Sequence, residues 1–556
     1  MKIESHKLLS RVLFAVLISF VMLSCQQKEV VVQKEETPFV WEGANVYFLL
    51  VDRFNNGDTT NDNTRNSTDK TAVLRGFEGG DLQGVIQKIE SGYFDELGIN
   101  ALWLNPVVEQ IKGSTDEGTG LTQAYHGYWT SDWTSIEPNL GTKEDLANLV
   151  KVAHEHGIKV LLDAVVNHTG PVTDKDAVWP ADWVRTNPAC TYSDYETTVS
   201  CTLVENLPDI LTESDTEVEL PKYLVEKWKS EGRYEEELAE LDDFFAETGY
   251  PRAPRFYIMK WLSDYISDYG IDGYRVDTVK HVEESVWSEF KEICDRSFDL
   301  WKKSNPEQAS NSDFYLIGEV YNYIFYNGKN FDFGDRKVDY FDERFDALIN
   351  FEFKYNAEDG YEKTFSRYSD QLNGEMSGYS VMNYLDSHDD GSPFDPDRTR
   401  GLEAGTKLLL SPGISQVYYG DESNRGFSIE GAQGDANLRS NMNWEDLENS
   451  DSVIANFSHW SKLGKFRRNH MSVGAGMHKM LQEAPYVFSR TYTSDSFEDR
   501  VVVGLDFEAG SKLIEVKEVF EDGAILRDAY SNQTIEVIQG KVEFDSPFSV
   551  ILLEKI

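Results

Sequence analysis

One stretch constrains the fold of this chain more than any other: Gly270-Ile271-Asp272-Gly273-Tyr274-Arg275-Val276-Asp277-Thr278-Val279-Lys280-His281. It reads as a buried strand that ends on an Arg, an Asp and a His. Arg275 and Asp277 are two residues apart, so on an extended strand they point to one face. Ahead of it Ile258, Leu262, Tyr265, Ile266 and Tyr269 repeat at helical spacing, and Gly270 closes that helix. Helix, glycine and a strand with a charged end form the repeating unit of an α/β barrel, whose active site lies at the carboxyl ends of the strands. An isolated Arg–Asp salt bridge would give the same local pattern, so the remaining chain has to decide.

It decides for the barrel. Eight short apolar runs occur, at 46–51, 101–104, 160–166, 271–276, 314–317, 347–351, 379–385 and 414–418, most of them followed by a helical pattern. Thr142-Lys143-Glu144-Asp145 opens one helix as a capping box, Leu146, Leu149, Val150 and Ala153 form its apolar stripe, and Gly157 ends it. The long gap between the third and fourth runs holds several prolines, Cys190 and Cys201, and a charged helical stretch near 223–245; it reads as an inserted subdomain. A last helix is expected over 452–468. Beyond it the pattern turns to alternation, with strands at 486–490, 500–504, 541–544 and 550–553 separated by turns such as Glu521-Asp522-Gly523. The expected architecture is a (β/α)8 barrel with an insertion after its third strand and a C-terminal antiparallel β-sandwich.

The N-terminus reads as a targeting segment. Lys2 and Lys7 precede an apolar run over 12–23, too short to span a bilayer and shaped like the core of a signal peptide. It ends in Met22-Leu23-Ser24-Cys25, which resembles a bacterial lipoprotein cleavage box, so Cys25 is the expected lipidated first residue of an exported outer-membrane lipoprotein. The polar, Glu-rich segment 26–37 then serves as a tether. The boundaries expected are 1–24 signal peptide, 25–42 tether, 43–167 with 255–470 barrel, 168–254 insertion and 471–556 sandwich. Cys190 and Cys201 are close enough for a small disulfide loop in an exported protein, and Cys294 falls in a helical pattern. No CxxC or HxxxH spacing suggests zinc. A net charge of −44 spread along the chain argues against nucleic acid and against a polyanionic substrate.

Four of the ten histidines, His126, His168, His281 and His388, fall beside acidic or aromatic residues at strand ends. Singly each reads as a structural histidine; four at one end of one barrel describe a polar cleft that hydrogen-bonds sugar hydroxyls. Tyr125, Tyr128, Trp129 and Trp133 read as platforms for the apolar face of a sugar ring, with core as the alternative for Tyr128, Trp129 and Trp133. Three acids stand out: Asp277, Glu319 and Asp389. Breaking a glycosidic bond takes one carboxylate against the oxocarbenium-like carbon and another acid to protonate the leaving oxygen. An Arg beside a carboxylate favours its ionised form, and crowding among carboxylates favours a retained proton. Arg275 therefore marks Asp277 as nucleophile, and Glu319, with no Arg near it in the chain, suits the acid/base.

These stretches resemble the α-amylase family of glycoside hydrolases, from about residue 46 to the end. Asp163-Ala164-Val165-Val166-Asn167-His168 is similar to the family's first motif, 273–281 to its second, Glu319 to its third and His388-Asp389 to its fourth; 411–422 is similar to its eighth-strand signature. The resemblance implies Asp277 as nucleophile, Glu319 as acid/base and Asp389 as transition-state stabiliser, with His126, Tyr128, Asp163, His168, Arg275 and His388 lining the site. Lys280-His281 resembles the pair that reaches a leaving-group sugar in endo-acting amylases and cyclodextrin-forming relatives. Two departures stand: Ser387 replaces the usual Asn, and Leu207-Pro208-Asp209-Ile210 lacks the usual polar residue.

The resemblance also implies calcium, which takes several oxygen ligands. One site maps to Asn167, Asp209 and the His281 carbonyl. A second maps to Asn56, Asp58, Asn61 and Asp62 with the Gly79 carbonyl and Asp81. The activity implied is retaining hydrolysis of α-1,4 bonds in starch-like α-glucans. Rival readings are a transglycosylase or a pullulan- or cyclodextrin-degrading relative, and, from another class, a non-catalytic glucan-binding lipoprotein serving an uptake complex.

Overall fold

The computed structural model describes residues 38–556 except 66, 117, 309–311 and 495–496; the expected signal peptide, the expected lipidation site Cys25 and most of the expected tether lie outside the described residues. Each of the eight apolar runs forms a strand: β1 (Asn45–Leu49), β2 (Ala101–Leu104), β3 (Lys159–Ala164), β4 (Gly273–Val276), β5 (Tyr315–Gly318), β6 (Ala347–Asn350), β7 (Ser380–Tyr384) and β8 (Ile414–Tyr418). They are parallel and close into a barrel in the order β1-β8-β7-β6-β5-β4-β3-β2. Side chains of such strands face either the barrel interior or the helices outside, so both faces are dry and the runs are apolar without alternation.

The helices that cover the barrel begin with α1 (Leu82–Glu90) and α2 (Lys143–Glu155). In α2 the Thr142 side chain accepts from the Asp145 N–H while Asp145 reaches back to Thr142, the reciprocal cap expected from the sequence. In the insertion, α3 (Lys222–Glu231) and α4 (Tyr234–Thr248) replace the one charged stretch; Gly232, at φ +78°, separates them. The following helices are α5 (Pro254–Tyr269), α6 (Ser285–Ser304), α7 (Tyr361–Leu372), α8 (Gly401–Leu409) and α9 (Asp451–Asn469). From β5 to β6 the chain makes no α-helix. It forms a 3-10 turn (Phe325–Asn327) and a hairpin of Asn330–Asp332 with Lys337–Asp339.

The segment between β3 and α5 holds a two-stranded ladder, Val184–Arg185 with Asp209–Ile210, a single helical turn Glu196–Val199, and a disulfide between Cys190 and Cys201. Cys294 is a buried free thiol in α6. Beyond α9 the described residues form eight antiparallel strands, β9 (Met477–Gln482), β10 (Tyr486–Thr493), β11 (Glu498–Leu505), β12 (Gly510–Glu515), β13 (Ile525–Asp528), β14 (Gln533–Glu536), β15 (Lys541–Ser546) and β16 (Ile551–Lys555). Six form the sheet β9-β10-β11-β16-β13-β14, and β12 pairs with β15. Val487, Val502, Ile551, Leu553, Ile514 and Val542 fill the space between the two sheets. Phe488, Val501, Val503 and Leu552, one residue out of phase, pack with the core of the barrel. Period-two alternation thus buries both faces of the larger sheet. Among the described residues no helix is long and apolar enough to cross a membrane.

Candidate active site

The parallel register sets the site. Arg275 on β4 lies directly opposite Asp163 on β3, so the two side chains meet inside the barrel mouth. Arg275 Nη1 donates to both Asp163 oxygens at 2.9 and 3.0 Å and to Asp277 Oδ1 at 2.8 Å. Its Nη2 lies 3.0 Å from Glu319 Oε2. Here the structure corrects the sequence: Glu319 does have an Arg neighbour, supplied by the adjacent strand and not by its own. Asp277 and Glu319 each sit one residue past a strand end, and their N–H groups extend the ladders to Ala164 and Val276.

Thr278 turns the chain away at φ +50°, a left-handed conformation that costs a β-branched residue about 1–3 kcal/mol. That turn aims its N–H at Glu319 Oε2, 3.0 Å away. Asp389 lies in the loop after β7, where the Ser387 hydroxyl donates to it at 3.3 Å and His388 Nε2 is 3.6 Å away. Tyr128 donates to Asp163 at 2.8 Å and stacks on His388, ring centroids 5.3 Å apart. Asp277, Glu319, Asp389, Lys280 and all four cleft histidines line one open cleft of about 680 Å³ with Tyr128 and Trp129. Asp163 and Arg275 form its buried floor. Tyr125 and Trp133 are interior: Trp133 donates to the Val165 carbonyl and packs on Trp179 and Trp261, and Arg53 covers Tyr125.

Burial sorts the protons. It pushes Glu319 up to about 8, aided by the charges of Asp277 and Asp389 and opposed by Arg275. Desolvation also raises Asp389, but His388, Arg275 and Arg439 outweigh it and hold that carboxyl below its ordinary value. Burial lowers His281 and His388 to about 4, and lowers His126 and His168 as well, so the cleft imidazoles are neutral. A neutral imidazole both donates and accepts, as binding to hydroxyls requires. The site therefore presents ionised and protonated carboxyls side by side.

The cleft also holds residues that the sequence did not mark. Tyr321 and Asn322 follow Glu319; Tyr192, Leu203 and Val204 come from the insertion; Asp435 and Arg439 come from the 3-10 turn Gly434–Arg439 after β8. Arg439 donates to the His388 carbonyl at 2.8 Å and pairs with Asp435 at 2.7 Å. Only an i,i+4 opposite-charge spacing pointed to that pair.

The calcium candidates fall in two places. The Asn167 side-chain amide lies 3.1 Å from both Asp209 Oδ1 and the His281 carbonyl. With its oxygen turned inward the three make an oxygen cradle of the kind calcium takes; with its nitrogen inward the amide bridges both groups itself. Asp209, held by Arg185 at 2.7 Å, is pushed by burial up to about 9, which an adjacent dication would reverse. At the second place Asn56 donates to Asp62 at 2.8 Å beside Gly79, and Asn61 Oδ1 is buried with no hydrogen-bond partner. Asp58 accepts from Thr60, while Asp81 caps α1 and accepts from the N–H groups of Gly57, Asp58 and Gly84. Among the described residues no group of three or more His, Cys, Asp or Glu side chains forms a metal cage, so both candidates depend on amide and main-chain oxygens.

Residues 48–471, which contain every cleft residue named above, match the α-amylase catalytic domain. The chain belongs to the α-amylase family. It is a glycoside hydrolase. Similar family members include the periplasmic α-amylase of Escherichia coli K12, 34% identical over 520 residues, 82% of this chain and 72% of that protein. A cyclomaltodextrinase of a Bacillus species is 26% identical over 507 residues, covering 88% and 77%. An Anoxybacillus α-amylase structure superposes with a TM-score of 0.62 at 24% identity, over 93% of this chain and 99% of that one, a likeness of fold.

Proposed function

We propose that this α-amylase-family enzyme cleaves α-1,4-glucosidic bonds in starch or malto-oligosaccharides with retention. The observation that carries the reading is one guanidinium, Arg275, tying the Asp277 and Glu319 carboxyls to the same cleft. Held on neighbouring nitrogens they suit the close spacing, about 5 Å, of retaining enzymes, which leaves no room for a water between carboxylate and sugar. Asp277 attacks the anomeric carbon as the bond to the leaving oxygen breaks, and Glu319 gives that oxygen its proton. Glu319, now a carboxylate, takes a proton from water, which displaces Asp277 and restores both groups. Asp389 bears on the positive charge that develops at the ring, and Tyr128 stacks on the attacked sugar. Asp277→Asn should abolish turnover and leave amylose binding measurable; undiminished hydrolysis would overturn the assignment.

Timed product analysis on amylose, pullulan and cyclodextrin separates this reading from a transglycosylating or cyclodextrin-degrading one. The non-catalytic glucan-binding reading is disfavoured because all three acids reach the cleft. Calcium held by Asn167, Asp209 and the His281 carbonyl would supply a charged cross-link between barrel and insertion. EDTA should then lower the melting temperature and calcium restore it; an unchanged transition would remove the metal from the account. Export, with a lipid on Cys25 and a role beside an outer-membrane glucan-uptake complex, is supported by the N-terminal pattern, by the periplasmic relative, and by a disulfide of the sort oxidising compartments keep.

A further inference from the structure

Asp277 and Glu319 are placed by the barrel itself, each one residue past a strand end. Asp389 lies farther out, in the loop between β7 and α8, with its side chain 38% exposed. Among the described residues it accepts one long hydrogen bond, from the Ser387 hydroxyl at 3.3 Å; His388 Nε2, at 3.6 Å, is beyond hydrogen-bonding range. A carboxylate that has to meet a charge present only in the transition state needs firmer placement, since an error of about 1 Å costs roughly a hundredfold in rate.

The next residue supplies that placement. Asp390 Oδ2 takes the ammonium of Lys354 and, at 2.5 Å, the hydroxyl of Tyr384; Oδ1 accepts from the Ser392 N–H at 3.1 Å. Lys354 stands on the single turn Phe353–Asn356 that follows β6, and Tyr384 is the last residue of β7, so three segments of chain meet at one carboxylate. The base beneath them is braced. Asn350 of β6 donates to Asn383 of β7 and to Tyr368 of α7, both at 2.8 Å, and Tyr368 donates on to Asn356 at 3.0 Å. The Lys354 side chain is 4% exposed and that of Asp390 15%. Burying such a pair gains little net stability, because desolvation offsets the attraction; what it fixes is geometry. Lys354, Tyr384 and Asp390 all lie outside the lining of the cleft.

We propose that Lys354, Tyr384 and Asp390 form a clamp of positioning residues that sets the Asp389 carboxylate against the ring under attack. They act through the main chain that Asp389 and Asp390 share, not by touching the sugar. The proposal rests on the roles of Asp277, Glu319 and Asp389 given above.

The test is a double-mutant cycle on the full chain with α-maltotriosyl fluoride, whose turnover needs little proton donation from Glu319. Lys354→Met should lower kcat between about ten- and a hundredfold and leave KM within about twofold, the split expected when an interaction made only in the transition state is lost. Lys354→Met/Asp390→Asn, which leaves no buried charge unpaired, should do the same, and Lys354→Arg should keep most of the rate. In an Asp389→Asn background, where the carboxylate is already gone, Lys354→Met should change kcat less than about twofold. Losses of equal size in both backgrounds, a KM that rises with kcat unchanged, or full activity in the Lys354→Met and double variants would overturn the proposal. A wild type inert on the fluoride, or an Asp389→Asn variant as fast as wild type, would overturn the reading of the site and the proposal with it.

Discussion

In the proposed reaction Glu319 is the residue on which the chemistry turns, and its environment sets conflicting demands. Two donors, Arg275 and the Thr278 N–H, favour its ionised form, while burial and two nearby carboxylates favour the proton; burial is the largest effect, and the group rises to about 8. A general acid has to hold its proton, so kcat/KM on a glucan should fall as pH rises through about 8. A glycosyl fluoride needs little protonation of its leaving group, so the same limb should be nearly flat with α-maltosyl fluoride. An identical alkaline limb on both substrates would show that some other group titrates. The three acids and Arg275 were legible in the chain because each stands at the end of an apolar run. The partnership of Arg275 with Glu319 was not, because it arises from barrel register between residues 44 apart in sequence. Thr278 was equally hidden: nothing in its neighbours announces a left-handed backbone. Trp133, which the sequence left open between sugar platform and core, packs inward as core.

At the scale of elements the reading of the chain was most secure where both faces of a strand are dry, since a run of four or five apolar residues bounded by turn residues has few other fates. All eight barrel strands were of this kind. The part of the insertion ahead of α3 resisted because its structure is carried by a disulfide, a short ladder and a single helical turn, none of which imposes a periodicity. The α5–β4 joint allows a direct test of how tightly such an element is held. Gly270 ends α5 at φ +71°, and a Cβ there would lie 2.0 Å from the Trp301 ring of α6. Gly249, which ends α4 at φ +73°, has nothing within 4 Å of that position. Gly249→Ala should therefore cost about 1 kcal/mol, the backbone penalty alone, and Gly270→Ala about 2–4 kcal/mol, with overpacking added. Gly270→Ala should also lower kcat, because β4 carries Arg275 and leads into Asp277. Urea denaturation of both variants checks the comparison, and equal losses would mean that α6 yields freely.

The barrel and the C-terminal sandwich behave as one body through a shared apolar core, and one charged clasp sits on that seam. His470, just past α9, donates through Nδ1 to Asp499 Oδ1 at 2.8 Å and through Nε2 to Glu554 Oε2 at 2.5 Å; Arg527 supports Glu554 and the Ser472 N–H supports Asp499. Burial alone would lower His470, but the two carboxylates outweigh it and raise the imidazolium to about 9. The folded value stands above the ordinary His value of about 6.5, so the clasp contributes fully below about pH 6.5 and is lost as pH rises through about 9. The gap is worth about 3 kcal/mol. Over a chain of this size, at about 2 cal/mol/K of unfolding entropy per residue, that is a shift of roughly two or three degrees. His470→Gln keeps a donor but no charge. Its melting temperature should lie below the wild type's at pH 6, and the difference should shrink between about pH 6.5 and 9, where the unfolded chain has released this proton and the folded clasp still holds it. A difference that holds constant from pH 6 to 10 would mean that His470 contributes packing and not charge, leaving the seam to its apolar contacts.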